Sequence, residues 1–297
     1  MPKALQIFFA LVGASALASH AAAAGSPVAA DETHPWLILP DTPAMVTADV
    51  SGLATVNDIE MYYAVFNKGG GDPVILLHGG LGSSGIWSIE VPLLAKTHEV
   101  IVADSRGHGR STRSGQPFSY ELMASDVLGL MDRLKVPKAS IVGWSDGGII
   151  GLVIAISHRE RLNRLVTYGA NFSRSGEKTD PPDDAARARG AQFLARMEAS
   201  YRALSPTPDA FVTLRKALGE MYAKEPELRP ADLAAITAPT LIVAGEYEQF
   251  YKREHFEQLA RLIPGGKFVM LPSAGHAGPV QRPKEFHEIV ATFLSQP

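Results

Sequence analysis

The sequence predicts an α/β fold with a mostly parallel central sheet flanked by helices, an N-terminal hairpin and a helical lid insertion. Three observations predict it. A short, continuously apolar run such as Val74-Ile75-Leu76-Leu77 has the composition of a strand buried on both faces, and the strand rhythm resumes at Thr240-Leu241-Ile242-Val243. The strands alternate with helix-length segments, which implies crossover units joining parallel neighbours. Between about residues 172 and 238 the strands stop and helical segments take over, as in an insertion that covers a site.

The elements follow in order. Residues 1–24 read as a secretory signal: Lys3 is the positive start, Ala4 to Ala18 is nearly all apolar, and Ser19-His20-Ala21-Ala22-Ala23-Ala24 supplies the small residues for cleavage after Ala24. The apolar run is short for a bilayer span, so the expected product is exported, to the periplasm or beyond, with no membrane partner. Residues 25–50 are rich in Pro, Ala, Thr and Asp and read as a leader or linker, with Trp36-Leu37-Ile38-Leu39 available to pack onto the body. Residues 51–171 and 239–297 then form the core, around the insertion at 172–238.

Within the core, Leu53 to Phe66 reads as two strands turning at Asn57-Asp58. The alternation continues with strand 74–77, helix 86–96, strand 100–102, helix 120–134, strand 139–142, helix 147–157 and strand 164–168. The insertion carries helical stretches at 185–204 and 211–224. Strand 240–243, helix 250–262, strand 267–271 and helix 283–294 complete the chain.

Composition narrows the chemistry. The formal charge of −3 comes with no long basic run, which excludes an evident nucleic-acid partner. The chain has no cysteine, so disulfides, thiolate zinc sites and a cysteine nucleophile are all excluded. There is no H-E-x-x-H or comparable ligand cluster, and the chemistry read below needs neither metal nor cofactor.

Gly143-Trp144-Ser145-Asp146-Gly147-Gly148 matches G-x-S-x-G between an apolar strand and an apolar helix. A serine on so sharp a turn needs residues without a bulky Cβ substituent two places to either side, and the turn lifts its hydroxyl above the carboxyl edge of the sheet. Ser145 is the expected nucleophile. A serine hydroxyl needs a base to take its proton, and His276 lies in the loop Pro272–Gly278 after the last strand. The orienting acid should follow strand 240–243, where Gly245-Glu246-Tyr247-Glu248-Gln249 offers two glutamates. Glu248 is preferred and Glu246 is the runner-up. Two backbone N–H donors must receive the oxyanion: that of Asp146, and one from His78-Gly79-Gly80-Leu81-Gly82, with Gly80 preferred and Leu81 the alternative.

The last loop also poses a competing reading. Gly80-Leu81-Gly82-Ser83-Ser84-Gly85 matches G-x-G-x-x-G after a strand, and Asp104 ends the next strand, as in a dinucleotide-binding oxidoreductase. The leading hairpin, the serine elbow and the late histidine are features that such a domain does not require.

Taken together, His78-Gly79-Gly80, Asp104-Ser105-Arg106-Gly107-His108-Gly109-Arg110-Ser111, the Gly143–Gly148 elbow and Gly275-His276 resemble the α/β-hydrolase superfamily over roughly residues 53–295. Trp144-Ser145-Asp146-Gly147-Gly148, with Tyr168-Gly169-Ala170-Asn171, is similar to the biphenyl-hydrolase-like (valacyclovir hydrolase) branch. The resemblance implies that Asp104–Ser111 fixes a turn and holds no catalytic proton. It also implies that the Asp146 side chain faces an amino group on the substrate. That carboxylate equally suits the first turn of a helix, where the dipole alone favours it. Glu248 departs from the family, which usually carries aspartate there.

The function expected is hydrolysis of a small-molecule carboxylic ester through an acyl-serine intermediate. Cofactor-free perhydrolase or haloperoxidase activity uses the same three residues. A non-catalytic binding protein on the same scaffold is the alternative from another class.

Overall fold

The computed structural model describes residues 34–181 and 183–296. The expected signal, residues 1–24, and the first part of the expected leader, residues 25–33, lie outside the described residues.

Strands β1 (Val50–Val56) and β2 (Ile59–Phe66) form the hairpin, turning at Asn57-Asp58 with Asn57 at φ 49°. Asparagine is among the few residues that tolerate this left-handed region. Then follow β3 (Pro73–Leu77), β4 (Glu99–Ala103), β5 (Ala139–Trp144), β6 (Leu162–Tyr168), β7 (Thr240–Gly245) and β8 (Lys267–Leu271). The order across the eight-stranded sheet is β1-β2-β4-β3-β5-β6-β7-β8. β1, β2 and β4 pair antiparallel in turn, and every other pairing is parallel.

The pleat divides the core into two layers. Ile75 and Leu77 face one side, with helices α2 (Tyr120–Leu134), α3 (Asp146–Ser157) and α7 (Arg253–Leu262). Val74 and Leu76 face the other, with Trp87, α1 (Glu90–Leu94) and α9 (Pro283–Leu294). Strands apolar on both faces are what two helical layers require. α3 is apolar nearly all round and correspondingly buried.

The insertion carries α4 (Asp184–Leu204), α5 (Phe211–Tyr222) and α6 (Pro230–Leu233), and the short α8 (Gly278–Gln281) precedes α9. Asp183 caps α4 by accepting from Ala186 N at 2.7 Å. Two helices differ from expectation. The one expected over 86–96 is a 3₁₀ turn, Ser84–Trp87, followed by α1, because Pro92 has no N–H to donate upstream and fits only in a first turn. The one expected from 250 begins at Arg253, because residues 250–252 pair with the start of the insertion: Lys178 N donates to Phe250 O and Lys252 N to Gly176 O.

Asp104 is fully buried and closes the competing oxidoreductase reading. Its carboxylate accepts from Ser84 N at 2.7 Å and Arg110 N at 2.8 Å, and Ser111 Oγ donates to its carbonyl at 2.6 Å. Both oxygens are therefore spent on turns of this chain. Arg106 is anchored likewise, to Asp126 at 2.5 and 2.7 Å and to Asp58 at 3.3 Å. Among the described residues no helix is long and apolar enough to cross a membrane.

Candidate active site

The carboxyl ends of β3, β5, β6, β7 and β8 bring their loops to one edge of the sheet, where open α/β sheets bind ligands. Ser145 follows β5 directly, with φ 53° and ψ −117°. Such a conformation costs a non-glycine residue on the order of 1–3 kcal/mol and persists only where the surroundings fix it. They do so here: Ser145 N donates to Tyr168 O at 2.8 Å, and the Ser145 carbonyl accepts from Gly148 N and Ile149 N. A Cβ on Gly143 would lie 2.2 Å from Gly147 O, and one on Gly147 would lie 2.2 Å from Leu77 O. The elbow can be this tight only with glycine at both places. Ser145 stays partly exposed, and its Oγ makes no hydrogen bond among the described residues.

His276 is held against the same edge. Its Nδ1 lies 3.0 and 2.9 Å from the two carboxylate oxygens of Glu248, which is only 4% exposed. Glu248 is itself fixed by Phe250 N, which donates to its Oε1 at 2.9 Å. Glu246 is exposed and serves elsewhere, accepting from Ser273 N at 2.9 Å. The His276 ring packs edge-on to Phe250, with centroids 4.7 Å apart. A Cβ on Gly169 would lie 3.0 Å from the imidazole, and Gly169 sits at φ 61°, so glycine there leaves the ring uncrowded beside the elbow. Trp144 Nε1 donates to His276 O at 2.7 Å, which ties the histidine loop to the residue before Ser145.

The Asp146 N–H is the first of α3 and has no intrahelical acceptor. Its side chain is 5% exposed and turns toward the β3 loop, where a Cβ on Gly80 would lie 2.8 Å from Oδ2. Two tyrosine hydroxyls donate to that carboxylate: Tyr120 to Oδ1 at 2.9 Å and Tyr222, from α5 of the insertion, to Oδ2 at 2.6 Å. Burial pushes the Asp146 carboxyl above its usual range, and the Tyr222 and Tyr120 hydrogen bonds oppose that shift. Burial and the adjacent carboxylate hold both tyrosines well above the ordinary phenol range. Leu81 sits at φ 63° with its side chain buried, next to the Gly79 O to Gly82 N turn.

Sequence reasoning missed the two tyrosines, the Trp144 indole, and Gln249, whose Oε1 accepts from His276 N at 2.7 Å. Trp144 and Gln249 adjoin residues singled out from the sequence, while Tyr120 and Tyr222 reach Asp146 from helices that no local pattern connects to it. Among the described residues no group of three His, Asp or Glu side chains is placed to hold a metal ion.

Comparison with known proteins agrees with this architecture. Residues 72–213 match the family model of the alpha/beta hydrolase fold. The chain is 30% identical over 248 residues to RutD of Pseudomonas syringae pv. syringae, covering 75% of this chain and 94% of that protein. It is 26% identical over 277 residues to the serine hydrolase BPHL of Homo sapiens, covering 84% of this chain and 88% of that one. The crystal structure of the enol-lactonase from Burkholderia xenovorans superposes with a TM-score of 0.66 at 25% identity, over 82% of this chain and 100% of that one. The sheet order, the elbow and these relatives together place the chain in the α/β-hydrolase superfamily.

Proposed function

We propose that the protein hydrolyses a small-molecule carboxylic ester through an acyl-serine intermediate. The observation that carries this reading is the His276 Nδ1–Glu248 contact beside the strained Ser145 elbow. With Nδ1 donating to the carboxylate, Nε2 is left as the basic nitrogen. Ser145 Oγ attacks the carbonyl carbon as its proton passes to His276 Nε2. The Asp146 N–H and the Gly80 or Leu81 N–H receive the oxyanion. Collapse breaks the bond to the alcohol, which leaves with the proton from His276. Water then repeats the sequence on the acyl-serine and returns the free enzyme. Glu248 stabilises the imidazolium in both halves.

The test uses a fluorophosphonate probe and a panel of p-nitrophenyl esters. Wild type should label and turn over, and Ser145→Ala should lose both while keeping its thermal midpoint. Residual turnover of about 10³–10⁴ over water can persist from binding and the oxyanion donors alone. Labelling without ester turnover would favour a different acyl acceptor. No labelling at all would favour a binding role.

Within the same reading, Asp146 selects substrates with a cationic group on the acyl side. Its carboxylate borders Gly80, a proposed oxyanion donor, and it is desolvated, which strengthens its field. The two tyrosines take one acceptor position on each oxygen, and a carboxylate has further lone pairs for an ammonium. Wild type should prefer an α-amino-acid ester over its deamino analogue by about tenfold or more in kcat/KM, an energy of roughly 1.4 kcal/mol. Asp146→Asn should abolish the preference. Equal preference in both proteins would make the carboxylate a purely structural anchor for Tyr120 and Tyr222.

A further inference from the structure

Residues 34–41 are tied to two parts of the site. The Trp36 carbonyl accepts from Gln249 Nε2 at 3.0 Å and from Gln281 Nε2 at 2.9 Å, and Gln281 Nε2 also reaches Ile38 O at 2.6 Å. Each glutamine turns its own oxygen onto the histidine loop. Gln249 Oε1 accepts from His276 N at 2.7 Å, and Gln281 Oε1 accepts from Gly275 N at 2.8 Å. The result is a bracket in which loop N–H groups donate to amide oxygens and amide N–H groups donate to a carbonyl of the segment. Bonds chained in this way polarise one another.

The bracket lies directly on the loop backbone, for a Cβ on Gly275 would stand 2.5 Å from Trp36 O and 2.3 Å from Gln249 Nε2. The place of the Trp36 carbonyl is set by its own side chain. That ring stacks on Tyr247 with centroids 3.8 Å apart and an interplanar angle of 14°, and Tyr247 N donates to Ala274 O at 2.8 Å. At the other end of the segment, Arg196 of α4 donates to Leu39 O at 2.6 Å and to Pro40 O at 2.9 Å.

We propose that residues 34–41 act as a strap that positions His276 for proton transfer, working through Gln249 and Gln281 and tied to the insertion by Arg196. The proposal rests on the reading of Ser145 and His276 as nucleophile and base. The carbonyl side of the loop is held by core donors, Trp144 Nε1 on His276 O and Tyr168 OH on Gly275 O. Its N–H side, at residues 275 and 276, is held by the two glutamines. When the bracket loosens, those two peptide planes keep only their carbonyl-side bonds, Tyr247 N on Ala274 O and Tyr168 OH on Gly275 O, and can tilt about them; proton transfer is sensitive to displacements well under hydrogen-bond length. Trp36, Gln249 and Gln281 are thus positioning residues, which act through the loop backbone and not on the reacting atoms.

The experiment measures the rate of fluorophosphonate labelling, with kcat and KM on a p-nitrophenyl ester, in the full-length protein. Trp36→Ala should lower labelling rate and kcat by about 10- to 100-fold, leave KM within about twofold, and be largely rescued in Trp36→Phe, which keeps a stacking ring. Where Trp36→Ala also lowers the thermal midpoint, the Gln281 pair decides. Gln281→Met removes the whole bracket on that side. Gln281→Glu keeps an acceptor for Gly275 N but sets carboxylate oxygens against the carbonyls of Trp36 and Ile38, so it should lose as much as Gln281→Met. Wild-type rates in Gln281→Glu would overturn the proposal, because the bond to the loop would then suffice without the strap. A rise in KM at constant kcat would overturn it too, since the segment would then only line the pocket. A wild-type protein that the probe does not label overturns the serine-hydrolase reading itself, and the strap with it.

Discussion

Glu246 and Glu248 stand two residues apart on one loop, and their carboxylates end in different surroundings. Tyr247 N donates to Ala274 O, and Glu248 N donates to Gly245 O, so the chain turns Glu248 inward while Glu246 stays in solvent. On the proposed reading the buried carboxylate, in contact with the His276 ring, is the one that stabilises the imidazolium. Glu248→Gln should therefore lower kcat by about 10³- to 10⁴-fold, as loss of the orienting charge does in such triads. Glu246→Gln gives up only an exposed bond to Ser273 N and should cost little. Steady-state kinetics on one ester decide it, and the reverse order would move the orienting role to Glu246. The sequence could name two candidates and no more, because the choice is made by a turn closed with backbone hydrogen bonds. The same holds for the strap. The apolar run from Trp36 announced packing on the body, but its hydrogen bonds run through the carbonyls of Trp36, Ile38, Leu39 and Pro40, which carry no residue-specific signal.

At the scale of the element, the legible parts were those where one physical demand acts along the whole segment. A strand sandwiched between two helical layers must be apolar throughout, so β3, β5 and β7 stand out by composition alone. Helix boundaries were less legible where Pro92 or pairing with residues 176–178 moved the start. Two helical glycines test how far helix preference governs these elements. A Cβ added to Gly219 in α5 would meet nothing within 4 Å, so Gly219→Ala should gain helix propensity and raise stability by about 0.5–1 kcal/mol. Gly147 in α3 has the same local preference, but its Cβ would press on Leu77 O, a backbone atom of the central sheet. Gly147→Ala should be destabilising despite its better propensity. Urea midpoints for the two variants read this directly. A loss in Gly219→Ala would mean that α5 is held by contacts that the alanine disturbs.

Across the whole molecule, burial has left histidines that resist charging, and this sets a pH window for stability. His255 on α7 is 4% exposed, stacks on Phe172 with centroids 4.1 Å apart, and accepts from Phe172 N at 3.2 Å through Nε2. It thereby joins the C-terminal part of the core to the root of the insertion. Burial, helped by repulsion from Lys252, pushes its pKa from 6.5 down to about 4. Burial does the same to His108, with repulsion from His78 next, down to about 3. The folded state therefore binds fewer protons than the unfolded chain between these values and 6.5. Stability is full above pH 6.5 and falls as the pH drops toward 4, because only the unfolded chain takes up the protons. His287 works against the trend: its hydrogen bond to Glu90 raises its pKa and favours the folded state at low pH. For His255 alone the loss at pH 4.5 amounts to about 2–3 kcal/mol. His255→Gln keeps a neutral acceptor for Phe172 N and removes the titration. That variant should start less stable at pH 7 yet lose about 2–3 kcal/mol less than wild type on going to pH 4.5, as read from urea unfolding. Parallel losses in the two proteins would mean that His255 charges in the folded state without penalty, and that the acid sensitivity lies elsewhere.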